Sequence, residues 1–214
     1  MSETHTILAF LKFGNRDHIM DLYEKGTVYM NNLQYFKTVE DKELRGDAYE
    51  GALSFGFAEK GTIQLEGANQ KFECFNIDYG EYLKTGNVYS LFSVSSYHFP
   101  NPKDFTVDKR VIEFGSHCLL IKQPGIFIEQ LTNQLKKRGL VADHGFVKYY
   151  EKEPRMTSLS PFHKRTLFDY QCEFRFFVQN SNTNPIIVNI GSMHEYAEIH
   201  ESNELLSLEL KRST

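Results

Sequence analysis

Cysteine is scarce and poorly placed for bridging. Cys74, Cys118 and Cys172 stand far apart, and no Cys-x-x-Cys pair occurs. That odd count and spacing exclude a disulfide framework or a cysteine zinc knuckle. No apolar stretch approaches the ~20 residues that a membrane-spanning helix needs. The opening segment, MSETHTILAFLKFG, lacks a basic n-region and a small-residue cleavage site, so no secretory signal peptide is expected. Positive charge is not in excess either. Lys and Arg number 24 against 28 Asp and Glu, a net charge of −4, so no global basic field marks a nucleic-acid or membrane surface. The expectation is a cytoplasmic protein with no membrane partner.

Aromatic rings are present in quantity. There are 18 Phe and 12 Tyr but no Trp, which suits a strand-rich packed core. The 214 residues fit one domain, 1–214. A chain of this size buries roughly 70% of its unfolded surface and needs no staple.

Alternation over Thr6–Phe13 predicts a strand buried on most of both faces, with Lys12 near its exit. Gly14 or Asn15 then opens a helix over Arg16–Lys25, Gly26 closes it, and Thr27–Met30 forms a second strand. Residues 37–51 are charged and read as a long exposed loop. Short strands are expected at Leu53–Ala58, Thr62–Leu65, Lys71–Asn76 and Val88–Tyr97, with turns at Gly56–Gly61 and Gly67–Asn69. After a His98–Lys109 loop, a strand is expected at Ser116–Ile121 and a helix at Pro124–Arg138, closed by Gly139. Gly145–Tyr150, Tyr170–Val178, Ile186–Asn189 and Leu205–Leu210 read as strands, and His194–His200 as a short helix. The fold class is α+β, a single sheet-dominated domain with two or three helices.

Several familiar sites are absent. The run from Gly56 has the glycine gap of a phosphate-binding loop, but Thr62 stands where Lys is required. GxGxxG and GxSxG do not occur. His194 and His200 lie about 240° apart around a helix and cannot share a zinc ion. His117 and Cys118 are neighbours on a strand, so they point to opposite faces.

Three segments carry candidate chemistry. Arg45-Gly46-Asp47-Ala48-Tyr49-Glu50-Gly51 gathers a guanidinium, two acids and an aromatic in a Gly-bounded loop, suited to clamping a phosphate or ribose. Ser93-Val94-Ser95 puts two hydroxyls on one face at the end of an apolar strand. In Tyr170–Val178, strand alternation puts Gln171, Glu173 and Arg175 on one face. A carboxylate so flanked can accept a ribose hydroxyl and stabilise a developing oxocarbenium cation.

Gln171-x-Glu173 resembles the Gln/Glu-x-Glu signature of mono-ADP-ribosyltransferases, and Ser93-Val94-Ser95 resembles their Ser-Thr-Ser element. The run Phe10 to Tyr29 is similar to the opening of transferase toxins that modify nucleic acids. The resemblance implies a split β-sandwich of ADP-ribosyltransferase type, with NAD as substrate and no metal. It makes Glu173 and Gln171 catalytic, the first engaging the nicotinamide ribose and the second orienting the acceptor. Tyr29 would stack on nicotinamide and Ser93 and Ser95 would buttress the site, with Lys12, Arg45 and Tyr49 as further NAD-binding candidates. The family's first motif is an Arg or His where this chain has Lys12, and Val94 replaces the usual Thr. A role as a toxin or in phage defence follows, with a nucleic-acid or protein acceptor and a cognate inhibitor. The whole chain also looks like a widespread bacterial family sharing Lys12, the Gly46–Glu50 loop, Lys164 through Arg175 and Ile190-Gly191-Ser192.

Two other readings stand beside it. One is a non-catalytic binding module, in which Glu173–Arg175 is structural and the Arg45–Gly51 loop recognises a partner. The other is a metal-dependent nuclease using Asp47, Glu50 and Glu173. The basic runs Lys109-Arg110, Lys136-Lys137-Arg138 and Lys164-Arg165 read as solvated faces. Folded onto one side with Tyr149 and Tyr150, they would track a phosphate backbone.

Overall fold

The computed structural model describes residues 4–38, 47–64, 67, 71–83, 85–153, 155–180 and 182–209. Arg45 and Gly46, and the predicted element ends at Leu65, Asn69 and Leu210, lie outside the described residues. In chain order the elements are β1 (Ile7–Gly14), α1 (Arg16–Lys25), β2 (Thr27–Asn32), α2 (Leu33–Thr38), β3 (Ala52–Gln64), β4 (Lys71–Tyr82) and β5 (Asn87–Ser95). There follow β6 (His117–Ile121), α3 (Pro124–Lys137), β7 (Ala142–Phe146), β8 (Lys148–Tyr150), β9 (Arg155–Met156), β10 (His163–Arg165), β11 (Glu173–Val178), β12 (Ile186–Asn189) and β13 (Ala197–Glu201). The fold is mixed α+β and sheet-dominated. No described helix is long and apolar enough to cross a membrane.

Local chemistry explains the first helix. Asn15 is extended and its side chain accepts the His18 N–H at 2.9 Å, a cap worth about 1 kcal/mol. Gly26 ends α1 in the left-handed region at φ +64°. A Cβ there would lie 2.2 Å from the Gly191 carbonyl oxygen, so both conformation and space demand glycine.

β5 organises the sheet. One of its edges carries β11, from Phe92 opposite Glu173 to Asn87 opposite Val178. The other edge is shared by two strands: β1 pairs with Phe92–Ser95, and β2 pairs with Asn87 and Val88. Tyr89, Ser90 and Leu91 lie between them, where the sheet splits. Beyond β1 come β6 and β13, beyond β11 comes β7, and β12 pairs with β2. Both faces are covered. Phe10, Leu91, Phe174 and Phe176 pack with α1 and α3 residues Ile19, Leu22, Phe127 and Leu131 on one side. Leu11, Phe92, Val94, Cys118 and Phe168 form the core of the other. Burial on two sides explains why these strands read as apolar runs.

The structure departs from expectation at several elements. β3 is one strand of 13 residues, not two strands separated by a Gly56–Gly61 turn. At Gly56 a Cβ would stand 2.3 Å from the Tyr79 ring, so the glycine clears a path for a cross-strand aromatic. α2 went unforeseen, although Asn32 caps it by accepting the Tyr35 N–H at 2.9 Å. The 145–150 segment divides into parts of β7 and β8, with Val147 between them. The expected helix at His194–His200 is a turn followed by β13, which pairs with β6. The expected strand at Leu205–Leu210 is a 3-10 helix, Ser202–Ser207, opened by a reciprocal Glu201–Glu204 capping box. β11 begins only at Glu173. Thr166–Gln171 is a 3-10 helix, and Cys172 links the two in the left-handed region at φ +42°.

Candidate functional site

The split in the sheet opens into a cleft of about 780 Å³. That is within the range of ~300–1,000 Å³ common for small-molecule sites. One wall is the end of β1 with α1, a second is Thr27, Tyr29 and Asn31 of β2, and β5 supplies Tyr89–Phe92. Glu50, Lys164, Gln171, Glu173 and Arg175 complete it. Lys12 reaches over the split, donating from Nζ to the Ser90 carbonyl oxygen at 2.8 Å and lying 4.2 Å from the Tyr89 ring centre. It thereby serves a carbonyl in the gap that neither β1 nor β2 covers, with a cation–π contribution.

Behind the cleft lies a charge network that, among the described residues, comprises three cations and three carboxylates. Lys164 Nζ donates to Gln171 Oε1 at 2.6 Å and to Glu173 Oε1 at 2.8 Å. Arg175 donates to Glu173 Oε2 from Nε at 3.2 Å and from Nη2 at 2.9 Å. It also holds Glu50, with Nη1 to Oε1 at 2.6 Å and Nη2 to Oε2 at 3.4 Å, and reaches the Pro161 carbonyl from Nη1 at 2.5 Å and Ser90 Oγ from Nε at 3.3 Å. Arg165 Nε donates to Asp47 Oδ1 at 3.1 Å. Asp47, Glu50, Lys164, Glu173 and Arg175 are all 5% exposed or less. Burial at this depth is tolerable because the charges cancel and the guanidinium spends its donors fully. Burial alone would raise the Glu173 pKa. Arg175 and Lys164 overcome that penalty and hold the carboxyl well below the usual carboxylate range. Burial likewise opposes charge on Arg175, and Glu173 and Glu50 outweigh it, driving its pKa further up.

Backbone geometry brings the two predicted catalytic side chains together by a route that alternation does not describe. Gln171 ends a 3-10 helix and Glu173 begins a strand, and the left-handed turn at Cys172 lets both side chains reach one ammonium. The Gln171 amide nitrogen donates to the Tyr170 hydroxyl at 3.2 Å. The Glu173 backbone N–H donates to the Tyr149 hydroxyl at 2.9 Å.

Of the residues read from the sequence, Lys12, Tyr29, Gln171 and Glu173 line this one cleft, with Tyr29 49% exposed. Ser93 and Ser95 do not. They are buried on the face of β5 opposite Ser90, where Ser93 Oγ donates to the Cys172 carbonyl at 3.0 Å and lies 2.9 Å from His98 Nδ1. Burial lowers the His98 pKa to about 4, so that ring is neutral at pH 7. Tyr49 also lies outside the cleft lining, packed against Phe55 at 4.4 Å between ring centres. The 47–51 segment is a turn with Asp47 and Glu50 buried, not an exposed loop, because both acids face arginines. Lys164 is buried, not part of a solvated face, and the Tyr149 hydroxyl serves the Glu173 backbone instead of solvent. The carboxylates of Asp47, Glu50 and Glu173 are spent on Arg165, Arg175 and Lys164. Among the described residues no three His, Cys, Asp or Glu are grouped to hold a metal ion.

Sequence reasoning passed over Ser90, Tyr89 and the role of Lys164. Ser90 carries a signal, since it is the lone polar residue within Val88–Phe92. No family model, curated protein or solved structure matches this chain.

Proposed function

We propose that this protein is an NAD-dependent mono-ADP-ribosyltransferase working in the split-sheet cleft. The observation that carries the reading is that Tyr29, Gln171 and Glu173 line one cleft of about 780 Å³, with Glu173 held as a carboxylate. The exposed Tyr29 ring offers a stacking surface for nicotinamide. The bond between the ribose C1′ and the pyridinium nitrogen breaks, and neutral nicotinamide leaves with the bonding electron pair. Positive charge then develops on the ribose, and the Glu173 carboxylate stabilises it in a low-dielectric site. The acceptor nucleophile bonds to C1′ beside Gln171 and releases its proton to solvent. In this reading the protein is a cytoplasmic bacterial effector, a toxin or phage-defence factor restrained by a cognate inhibitor. Its acceptor is a nucleic acid or a protein.

The charge network favours a second reading. With both Glu173 oxygens bonded to Lys164 and Arg175, the carboxylate also serves as a structural tie, and the cleft then binds a ligand without turnover.

The deciding experiment supplies NAD labelled in its adenylate half to the protein and a bacterial lysate, then counts label in protein, RNA and DNA. The control is Glu173→Gln combined with Lys164→Met, which removes the carboxylate while keeping the network neutral. Label in one fraction, lost in the control, supports transfer and identifies the acceptor class. Binding of NAD without label in any fraction supports the binding module. Neither label nor binding overturns the NAD reading.

A further inference from the structure

We propose that Lys164 is a positioning residue for this chemistry, its ammonium fixing the Gln171 amide and the Glu173 carboxylate in one arrangement against the cleft. The inference rests on the transferase reading for its catalytic consequence, and on geometry for the clamp itself.

One nitrogen meets both side chains, at 2.6 Å to Gln171 Oε1 and 2.8 Å to Glu173 Oε1. An ammonium only donates, so the contact dictates which end of the Gln171 amide faces Lys164 and sends its NH₂ to the Tyr170 hydroxyl. The Phe168 ring lies under the ammonium, 4.6 Å away, and Lys164 is 3% exposed. The backbone of Lys164 is pinned as well. β10 pairs in parallel with β8, with Lys164 opposite Tyr149. These cross-strand neighbours grip the same residue: the Tyr149 hydroxyl takes the Glu173 N–H and Lys164 takes the Glu173 carboxylate. The β8–β10 pair therefore sets both the backbone and the side chain of the residue that faces developing charge. A group that acts in this way need not touch substrate to govern turnover, since a misplacement of ~1 Å can reduce rate by about 10²-fold.

Glu173 is faced by Lys164 from β10, Arg175 from its own strand with Glu50 behind it, Ser90 from β5, Tyr149 from β8 and His98 at longer range. Removing the ammonium leaves Arg175 as the one cation bonded to Glu173 among the described residues. The carboxyl pKa then rises, because one of the two cations that offset its burial is gone.

The test has a catalytic arm and an arm independent of catalysis. In the first, kcat and KM for NAD are measured for wild type, Lys164→Met and Lys164→Arg. Lys164→Met is expected to lose about 10²-fold in kcat with KM within threefold. Lys164→Arg keeps the charge but displaces the donor, so its kcat falls as well while KM holds. In the second arm, side-chain NMR follows the Glu173 carboxyl carbon and the Lys164 ammonium nitrogen in the wild-type protein, and the carboxyl again in each folded variant. An ammonium signal protected from exchange supports the clamp, even where Lys164→Met does not fold. Unchanged kcat in folded Lys164→Arg overturns the positioning role. A Glu173 carboxyl signal unmoved by Lys164→Met, or an ammonium exchanging as freely as a surface lysine, overturns the clamp. A wild type that turns over no NAD removes the transferase reading, while the NMR arm still judges the clamp.

Discussion

Replacing Glu50 with Gln removes one negative charge from the buried network while nearly preserving shape. Glu50 accepts from Arg175 Nη1 at 2.6 Å and Nη2 at 3.4 Å, and both side chains are 2% exposed. Without that carboxylate, Lys164 and Arg175 share one carboxylate among the described residues, Glu173, and a net positive charge stays buried there. Breaking a buried ion pair by removing one partner costs about 3–5 kcal/mol. The Gln carbonyl retains a charge-assisted hydrogen bond to the guanidinium, worth about 1.5 kcal/mol, so the expected loss is about 1.5–3.5 kcal/mol. Urea unfolding is the assay. With m near ~2 kcal/mol/M, the midpoint should fall by about 1–2 M with m unchanged. The sharper form of the prediction is a cycle with Lys164→Met. That second change restores neutrality around Arg175 and Glu173, so the double variant should be more stable than the summed single losses by about 1 kcal/mol or more. Strict additivity, or a Glu50→Gln loss below about 1 kcal/mol, would show that solvent reaches these charges and that neutrality does not govern their burial.

Two further outcomes test other links. Gly26→Ala puts a methyl 2.2 Å from the Gly191 carbonyl oxygen in a left-handed residue, and should cost more than about 1 kcal/mol in thermal or urea unfolding; a neutral effect would refute the tight contact between α1 and the 190–191 segment. His98 has a folded pKa of about 4, below its unfolded value of 6.5, so between these values the unfolded chain binds the proton that the folded one refuses. Its contribution to stability is present above pH 6.5 and is lost as pH falls toward 4, and His98→Gln should flatten the melting temperature across that window. An identical slope in the variant would sink that assignment.

Elements whose determinants are local were legible. Asn15, Gly26 and the apolar spacing of Ile19 and Leu22 define α1 without reference to the rest of the chain. β3 was misread because its glycines answer to cross-strand partners, as Gly56 does to Tyr79, and a period-2 scan cannot see across a hairpin. The site was half legible. Glu173, Arg175 and Gln171 stood out as polar residues amid apolar ones, yet the 3-10 helix and the left-handed Cys172 were hidden, because no glycine marks that turn. Asp47, Glu50 and Lys164 looked solvated because charge in a sequence reads as surface unless its partner is known. The partners of Asp47 and Glu50 lie far away in the chain, Glu50 finding Arg175 over a separation of 125 residues, while those of Lys164 lie seven and nine residues on but across a turn that no pattern marks. Ser93 and Ser95 failed in the other direction. Alternation correctly placed them on one face, but at their end of the strand that face meets His98, outside the cleft lining.

Ser90 joins the two halves of the site. Its carbonyl lies in the gap between β1 and β2 and takes the Lys12 ammonium at 2.8 Å, while its hydroxyl lies 3.3 Å from Arg175 Nε on the adjacent strand. A single residue of β5 thus connects the stitch over the split to the neutral charge network behind it. An apolar residue at that position would satisfy the strand pattern and preserve the core, but it would leave the Arg175 Nε–H with Glu173 alone. A charged residue there would add an unmatched charge beside the buried Arg175–Glu173 pair. Serine fits because it is small, uncharged and able to accept from both its backbone and its side chain. The polar interruption in an otherwise buried strand therefore reports the cleft, and it does so more directly than the two serines that follow it.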